Sequence, residues 1–448
     1  MDIDRRRLLL GAATGAVTLA APAAAAPLSA FGLDAAQLGV RPGAIDDQSH
    51  TLQRAVDQAA RTRVPLMLAP GVYRAGGLTL PAGAQLAGVR GATRIVLTHG
   101  PSLLFSEHAE TVSLTGLTLD GGGQPLPGGR ALVHFDDVKA LRIADCEIVG
   151  AGGNGMTLES CDGEITHNTV AGAADNALYC NDSRGLMITA NIITKSGNGG
   201  ILVWQSEKRR DATLIAENRI EDTLARAGGT GQNGNAINVF RAADVIVRGN
   251  HIRSAAFSAI RGNSASNIQI IGNNCAALDE VAIYSEFGFE GAVIADNVVD
   301  GAEAGISVTN FNEGGRLATV RGNIVRNLGT RRPNRPPDEA GVGIAVEADT
   351  VVAGNVIERA ARAGISAGWG QYLRNVAITG NVVREAGFGV AVSVVAGAGI
   401  AVISGNVFAG TKRGAIVGME WEKAVTGDLA LAGAERYPQL RISGNQVN

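Results

Sequence analysis

Over most of its length the chain alternates aliphatic and polar residues in short runs, each broken by glycine or asparagine. "VRGNHI" (247–252) is followed by "VRGNIV" (320–325), "VAGNVI" (352–357), "ITGNVV" (378–383) and "ISGNVF" (403–408). In each, one aliphatic stands three residues before the asparagine and another two after it. A glycine-rich turn follows, then a small-Ile-x-Val run such as "GILVW" (200–204), "AINVF" (236–240), "GISVT" (305–309), "GIAVE" (343–347) or "GVAVS" (389–393). Period-two alternation with turns this frequent predicts short strands and not helices.

The asparagines fall at Asn168, Asn191, Asn218, Asn250, Asn273, Asn297, Asn323, Asn355, Asn381, Asn406 and Asn445. Cys146, in "LRIADCEIV", reads as an earlier copy with the asparagine replaced. The shortest spacings lie in the low twenties, one turn of a solenoid, and longer ones hold insertions between the same landmarks. A leucine-rich repeat would need more leucines and a helix-length segment. The pattern therefore predicts an all-β chain, a right-handed parallel β-helix of about a dozen three-strand coils, ~60 Å long at ~4.8 Å per coil. The asparagine marks a tight turn, tolerates left-handed φ and bonds nearby backbone. Stacked coil on coil, the amides should form a ladder inside the core.

Ahead of the repeats, "DDQSHTLQRAVDQAA" (46–60) predicts an amphipathic N-terminal capping helix, and "VPLMLAPGVYRAGG" (64–77) short strands with a Pro-Gly turn. This lead-in resembles the start of pectate-lyase-superfamily β-helices, where a helix covers the open end of the core and "PGxY" begins the first coil. At the extreme N-terminus, "DRRRLLL" places Arg5 and Arg6 before an apolar run ending in "APAAAAP". That resembles a twin-arginine signal peptide, although Asp4 and Leu8 depart from the usual residues. The run is shorter than the roughly 20 residues a membrane span needs. The expected organisation is a signal over 1–26, an N-terminal cap and first coils over 27–110, and β-helix repeats over 111–448. Taken together, the chain resembles a family of twin-arginine-exported bacterial repeat proteins. The resemblance implies the twin-arginine translocase as a partner and a periplasmic location, and it is specific for architecture and not for activity.

Composition adds bounds. Glycine at 61 residues, 46% hydrophobics and 4% aromatics suit a core of small and branched aliphatics with many turns. A formal charge of −3, with no basic run interleaved with aromatics, gives no reason to expect nucleic acid. Cys180 aligns with Leu158 and Val203, and Cys275 with Ile252 and Val299, so these cysteines read as buried hydrophobes. No Cys/His cluster has metal-ligand spacing, and no metal or other cofactor is expected. His167 and His251 flank turn asparagines and read as packing or surface residues.

Alternation also sorts outward positions. On the small-Ile-x-Val strand they form a polar and aromatic strip. Tyr179, Trp204, Asn238, Phe240 and Asn263 are candidate substrate-binding residues there, with Trp369 in a following loop. Arg261, Tyr284, Glu286 and Glu347 are candidate catalytic residues. Insertions at 221–235 and 327–341 wall one side; "QSEKRRD" (205–211), 287–290, 310–316 and 368–374 wall the other. A groove of this kind suits a polysaccharide or glycan, whose rings stack on aromatic faces. A polyuronate lyase would use Arg261 beside Tyr284 to steady an enolate. A glycoside hydrolase would use Glu286 and Glu347, two coils and roughly 9.6 Å apart, near the ~6.5–9.5 Å separation for inversion. The paired aspartates and Gly-His-Gly of β-helix pectin hydrolases and the Asp-rich calcium cluster of pectate lyases are missing. "RRPNRPP" (331–337) resembles the Arg/Pro motif of some lyases but falls in an insertion loop.

The strand before the asparagine instead presents an apolar ridge: Met187, Leu214, Ile246, Ile271, Val293, Val351 and Val402. Either the C-terminal segment covers it or a protein partner or second copy does. The competing function is therefore a noncatalytic periplasmic scaffold or binding protein that uses this ridge.

Overall fold

A computed structural model describes residues 32–127, 130–229, 231–329 and 340–448. The signal over 1–26 and "RRPNRPP" lie outside the described residues. Each coil contributes three strands: one before the asparagine, one after it, and the small-Ile-x-Val strand. The strands after the asparagine stack into one 15-stranded sheet. The other two sets share a 29-stranded sheet, because long strands such as Leu104–Thr115 and Ala131–Ala144 bend from one face into the next. Pairing is parallel from coil to coil; the described exception is Ile416–Glu420, which pairs antiparallel with Lys423–Asp428. The expected parallel β-helix is therefore the fold.

Asn168 to Asn445 run as one uninterrupted ladder. Each amide oxygen accepts from the backbone N–H and the Nδ2 of the asparagine one coil earlier; Asn297, for instance, accepts both from Asn273 at 2.9 and 3.0 Å. Each Nδ2 also reaches back to a carbonyl of the preceding coil, as Asn297 does to Ile270 at 2.9 Å. Cys146 stands at the head, its N–H donating to Asn168 Oδ1 at 2.9 Å. From Asn168 to Asn406 these side chains are almost wholly buried. A primary amide suits the position because it accepts and donates at once, whereas aspartate would only accept and would bring charge into the core.

The left-handed residue is not the asparagine, as the sequence suggests, but the one before it: Gly249 (φ 63°), Gly272 (φ 65°), Asp296 (φ 59°), Gly322 (φ 66°) and their equivalents. Turning the chain at that residue aims the asparagine side chain inward. This is why glycine so often precedes asparagine in the repeat.

Aliphatics line the remaining interior, with Cys180 in register with Leu158 and Val203, and Cys275 with Ile252 and Val299. All four cysteines are free thiols, and burial pushes Cys275 up to about 12. Helix Ser49–Thr62 buries Leu52, Ala55, Val56, Ala59 and Ala60, one stripe at helical spacing, against the first coils. Its first turn is satisfied from outside, by Asp47 Oδ1 accepting from the Ser49 N–H at 3.0 Å.

Asn297→Leu should cost about 3–5 kcal/mol, because its four bonds are lost and their partners stay buried. Asn445→Leu, at the half-buried end of the ladder, should cost about 1 kcal/mol. Urea denaturation of the two variants checks this, and equal losses would contradict a ladder that is strongest in its interior.

Candidate functional site

The small-Ile-x-Val strands form the floor of a groove. Register brings Tyr179, Leu202, Asn238, Arg261, Tyr284, Ser307, Ala345 and Ser366 into one outward row. Asn181, Trp204, Phe240, Asn263 and Glu286 form the row beside it. Tyr179 meets Trp204 edge-on at 5.4 Å between ring centroids, and Trp204 meets Phe240 at 5.6 Å, so three coils carry one aromatic series.

Most of the expected 327–341 wall lies outside the described residues; among the described residues one wall segment differs from expectation. "QSEKRR" is not a loop but the continuation of strand Gly199–Arg210, with a register shift between Trp204 and Arg209. The extended strand stands as a wall because its side chains anchor it. Buried Gln205 donates to Asp211 and to the Ser183 carbonyl, both at 2.6 Å, and Lys208 reaches the Gly288 carbonyl at 2.7 Å. On the other side, Gly231 (φ 99°) arches over the floor. Its carbonyl accepts from Asn235 at 2.7 Å and Asn238 at 3.2 Å, and a Cβ there would meet the Arg261 guanidinium at 3.0 Å. Walls this close explain why outward-facing Leu202, Asn238, Arg261 and Glu286 are nevertheless buried.

Arg261, Tyr284 and Glu286 are brought together, as their rows require. Arg261 Nε donates to Glu286 Oε1 at 2.6 Å, and its Nη1 lies 3.6 Å from Glu280 Oε2. The guanidinium also sits over the Tyr284 ring at 5.0 Å. Glu286 accepts from Asn263 Nδ2 at 3.2 Å as well. Burial raises the Glu286 carboxyl above its usual range, and Arg261 opposes that shift. Burial, then the nearby Glu286 charge, raises the Tyr284 phenol.

Two hollows adjoin at this cluster. One, of about 470 Å³, is lined by Trp204, Gly231, Asn238, Phe240, Arg261 and Asn263 among others. The second, of about 290 Å³, is lined by Tyr284, Thr309, Asn310, Glu347, Ser366 and Trp369 among others. Glu347 is thus two coils from Glu286 as expected, but it faces the second hollow while Glu286 lies beneath Arg261. Trp369 packs edge-on against Trp421 at 5.5 Å, brought there by the turn of the antiparallel hairpin. Past this point the floor turns apolar, with Ala363, Phe388, Ala391, Val417 and Met419 clustered and Arg413 over Phe388 at 4.2 Å.

Glu280 was not legible as a site residue, and Gly231 and Phe287, which line the first hollow, were legible only as parts of wall segments. Glu280 lies in the turn before its strand, three residues before Ile283, where Glu303 repeats the acidic choice one coil later; that repetition was the available signal. His134 extends the floor toward the N-terminus, 5.7 Å from the Phe105 ring and 3.8 Å from Glu159. His167 and His251 are exposed, away from the groove.

The apolar ridge is interrupted. Its row reads Met187, Leu214, Ile246, Gln269, Val293, Thr319, Val351, Ala377 and Val402. Ile271 lies in the neighbouring row between Arg248 and Ala295. The C-terminal segment does not cover it: Leu440–Ser443 continues the stack by pairing with Ala401–Ser404, and Met187 and Val351 stay 43% and 44% exposed.

Replacing Arg261 by methionine should cost about 3–5 kcal/mol, because Glu286 would be buried without its cation. Adding Glu286→Leu should recover most of that loss in a denaturation double-mutant cycle. Simple additivity would contradict the pairing.

The chain is similar to two family models. Residues 128–220 match "Right handed beta helix region", and residues 223–435 match "Periplasmic copper-binding protein (NosD)". No curated protein sequence matches it. Among solved structures, the bacteriophage phi29 gene product 12 N-terminal fragment aligns with a TM-score of 0.68 at 14% identity, covering 88% of this chain and 74% of that one. The pre-mature form of phi29 gene product 12 aligns with a TM-score of 0.62 at 16% identity, over 88% of this chain and 58% of that one. Together with the coil geometry, these likenesses establish a right-handed β-helix and leave activity to the groove.

Proposed function

We propose that the chain is an exported β-helix that binds a polysaccharide or glycan along the groove. The observation that carries this reading is the aromatic series Tyr179–Trp204–Phe240, of which Trp204 and Phe240 share one hollow with Asn238, Asn263 and Arg261. Ring faces stack on the apolar faces of sugars, while amides and a guanidinium meet hydroxyls. The aromatics are held by each other and by the stack, so little ordering cost attends binding.

The buried cluster favours binding over turnover. A lyase needs a cation free to meet an enolate, and Arg261 is engaged by Glu286 and Glu280. A hydrolase needs two carboxylates facing the sugar, and Glu286 is 2% exposed beneath Arg261. Tyr284 and Glu347, which line the second hollow, are the residues on which lyase or hydrolase chemistry would rest. The scaffold alternative would rest on the interrupted ridge.

Copper, suggested by the name of the second family model, does not fit. Residues 223–435 contain one histidine, one cysteine and one methionine: His251, Cys275 and Met419. His251 is exposed, Cys275 lies in the core and Met419 is buried by the C-terminal hairpin. No group of three or more His, Cys, Asp or Glu among the described residues could hold a metal ion. A soft copper site needs such donors together.

The word "periplasmic" in that same name supports a periplasmic location, and the Arg5–Arg6 pair supports export by the twin-arginine translocase. Replacing both arginines by lysine should leave the precursor in the cytoplasm on fractionation; continued export would exclude that route.

Affinity electrophoresis in gels carrying β-1,4-glucan, β-1,3-glucan, alginate or pectate tests the binding reading. We expect retardation by one class, at least about tenfold weaker in Trp204→Ala, with no release of new chain ends. Unretarded migration in every gel would contradict the reading.

A further inference from the structure

Resting on the glycan reading, we infer that the groove is built for a long linear chain, read at two separated aromatic stations and not at a single subsite. The first station is Trp204 with its neighbours Tyr179 and Phe240. The second is the Trp369–Trp421 pair. Six successive parallel pairings separate the Trp204 strand from the strand that ends before Trp369. At ~4.8 Å per coil the stations lie roughly 29 Å apart.

Every intervening coil gives at least one side chain to one of the two hollows, which adjoin where Arg261 lies over Tyr284. Beyond Trp369 the polar floor ends, and the hairpin brings Trp421 across that side. The groove is therefore bounded at its C-terminal end and lined continuously from there back to Trp204.

The repeat of the floor sets the ligand. A linear glycan in extended form advances by about one pyranose per coil, so a chain of roughly six residues reaches from one station to the other. A shorter one occupies either station alone. Once one station is engaged, the second meets the same chain at high effective concentration, and affinity rises steeply when the chain becomes long enough to touch both. Ligands branched on every residue would collide with the walls at Gly231 and Ser206, which stand on opposite sides of the floor.

The test is calorimetry with oligosaccharides of two to eight residues, cut from the polymer class that retards the protein, or from β-1,4-glucan if none does. The expected result is weak, flat affinity up to four residues and a rise of about tenfold or more by seven. Trp369→Ala should flatten that rise, so that longer chains bind no better than tetramers, with thermal unfolding showing that the variant is folded. Polymer binding with affinity already at its plateau by three residues would overturn the two-station inference and leave the groove reading standing. If no polymer and no oligosaccharide binds, both fall together.

Discussion

The constraint on which everything else rests is the buried amide of the coil turn. A solenoid of short strands puts a backbone corner into the core once per coil, and buried N–H and C=O groups need partners. One asparagine per coil supplies them, bonding forward to the next asparagine and back to a carbonyl of the coil before. The same bonds fix the register of neighbouring coils, since a slipped coil would strand both amides. Sequence repetition, strand register and rod geometry are thus consequences of one side chain's capacity to accept and donate together.

A floor fixed in this way frees the outward positions to carry chemistry. Rows along the rod are set by pairing, so residues from distant parts of the sequence, such as Trp204 and Phe240 or Arg261 and Glu286, become neighbours at coil spacing. Insertions then grow into walls without disturbing the core. The Arg261 cluster is the place where wall and floor are tied: Gly231 arches over the guanidinium, and Glu286 and Glu280 hold it from below and beside. That arrangement stiffens the middle of the groove, and its charges are spent on each other.

Much of this was readable from the chain. Asparagine spacing gave the coil, the inward rows placed Cys180 and Cys275 in the core, and period-two alternation placed Tyr179, Trp204 and Phe240 on one face. What escaped has physical reasons. Which residue of the turn takes the left-handed conformation depends on where the asparagine side chain must point, so Gly249 and not Asn250 carries it. "QSEKRR" looks like a loop because its charges face solvent on a wall, yet it continues the strand across a register shift and its Arg209 and Arg210 pair with Ala242 and Ala243. The arch that closes over Arg261 comes from a different insertion, and the meeting of Trp369 with Trp421 depends on a hairpin that breaks the repeat. Alternation reports which way a residue points, not what later covers it.

The central claim is that the polar, aromatic groove is the working surface of the rod. Hydrogen–deuterium exchange, with and without the polysaccharide that retards the protein, tests it most directly. Slowed exchange confined to the groove walls, around residues 204–210, 231–240 and 368–374, with the strands before the asparagines unchanged, is the predicted result. Protection along the row from Met187 to Val402, with the groove unaltered, would contradict it and identify the ridge as the functional face.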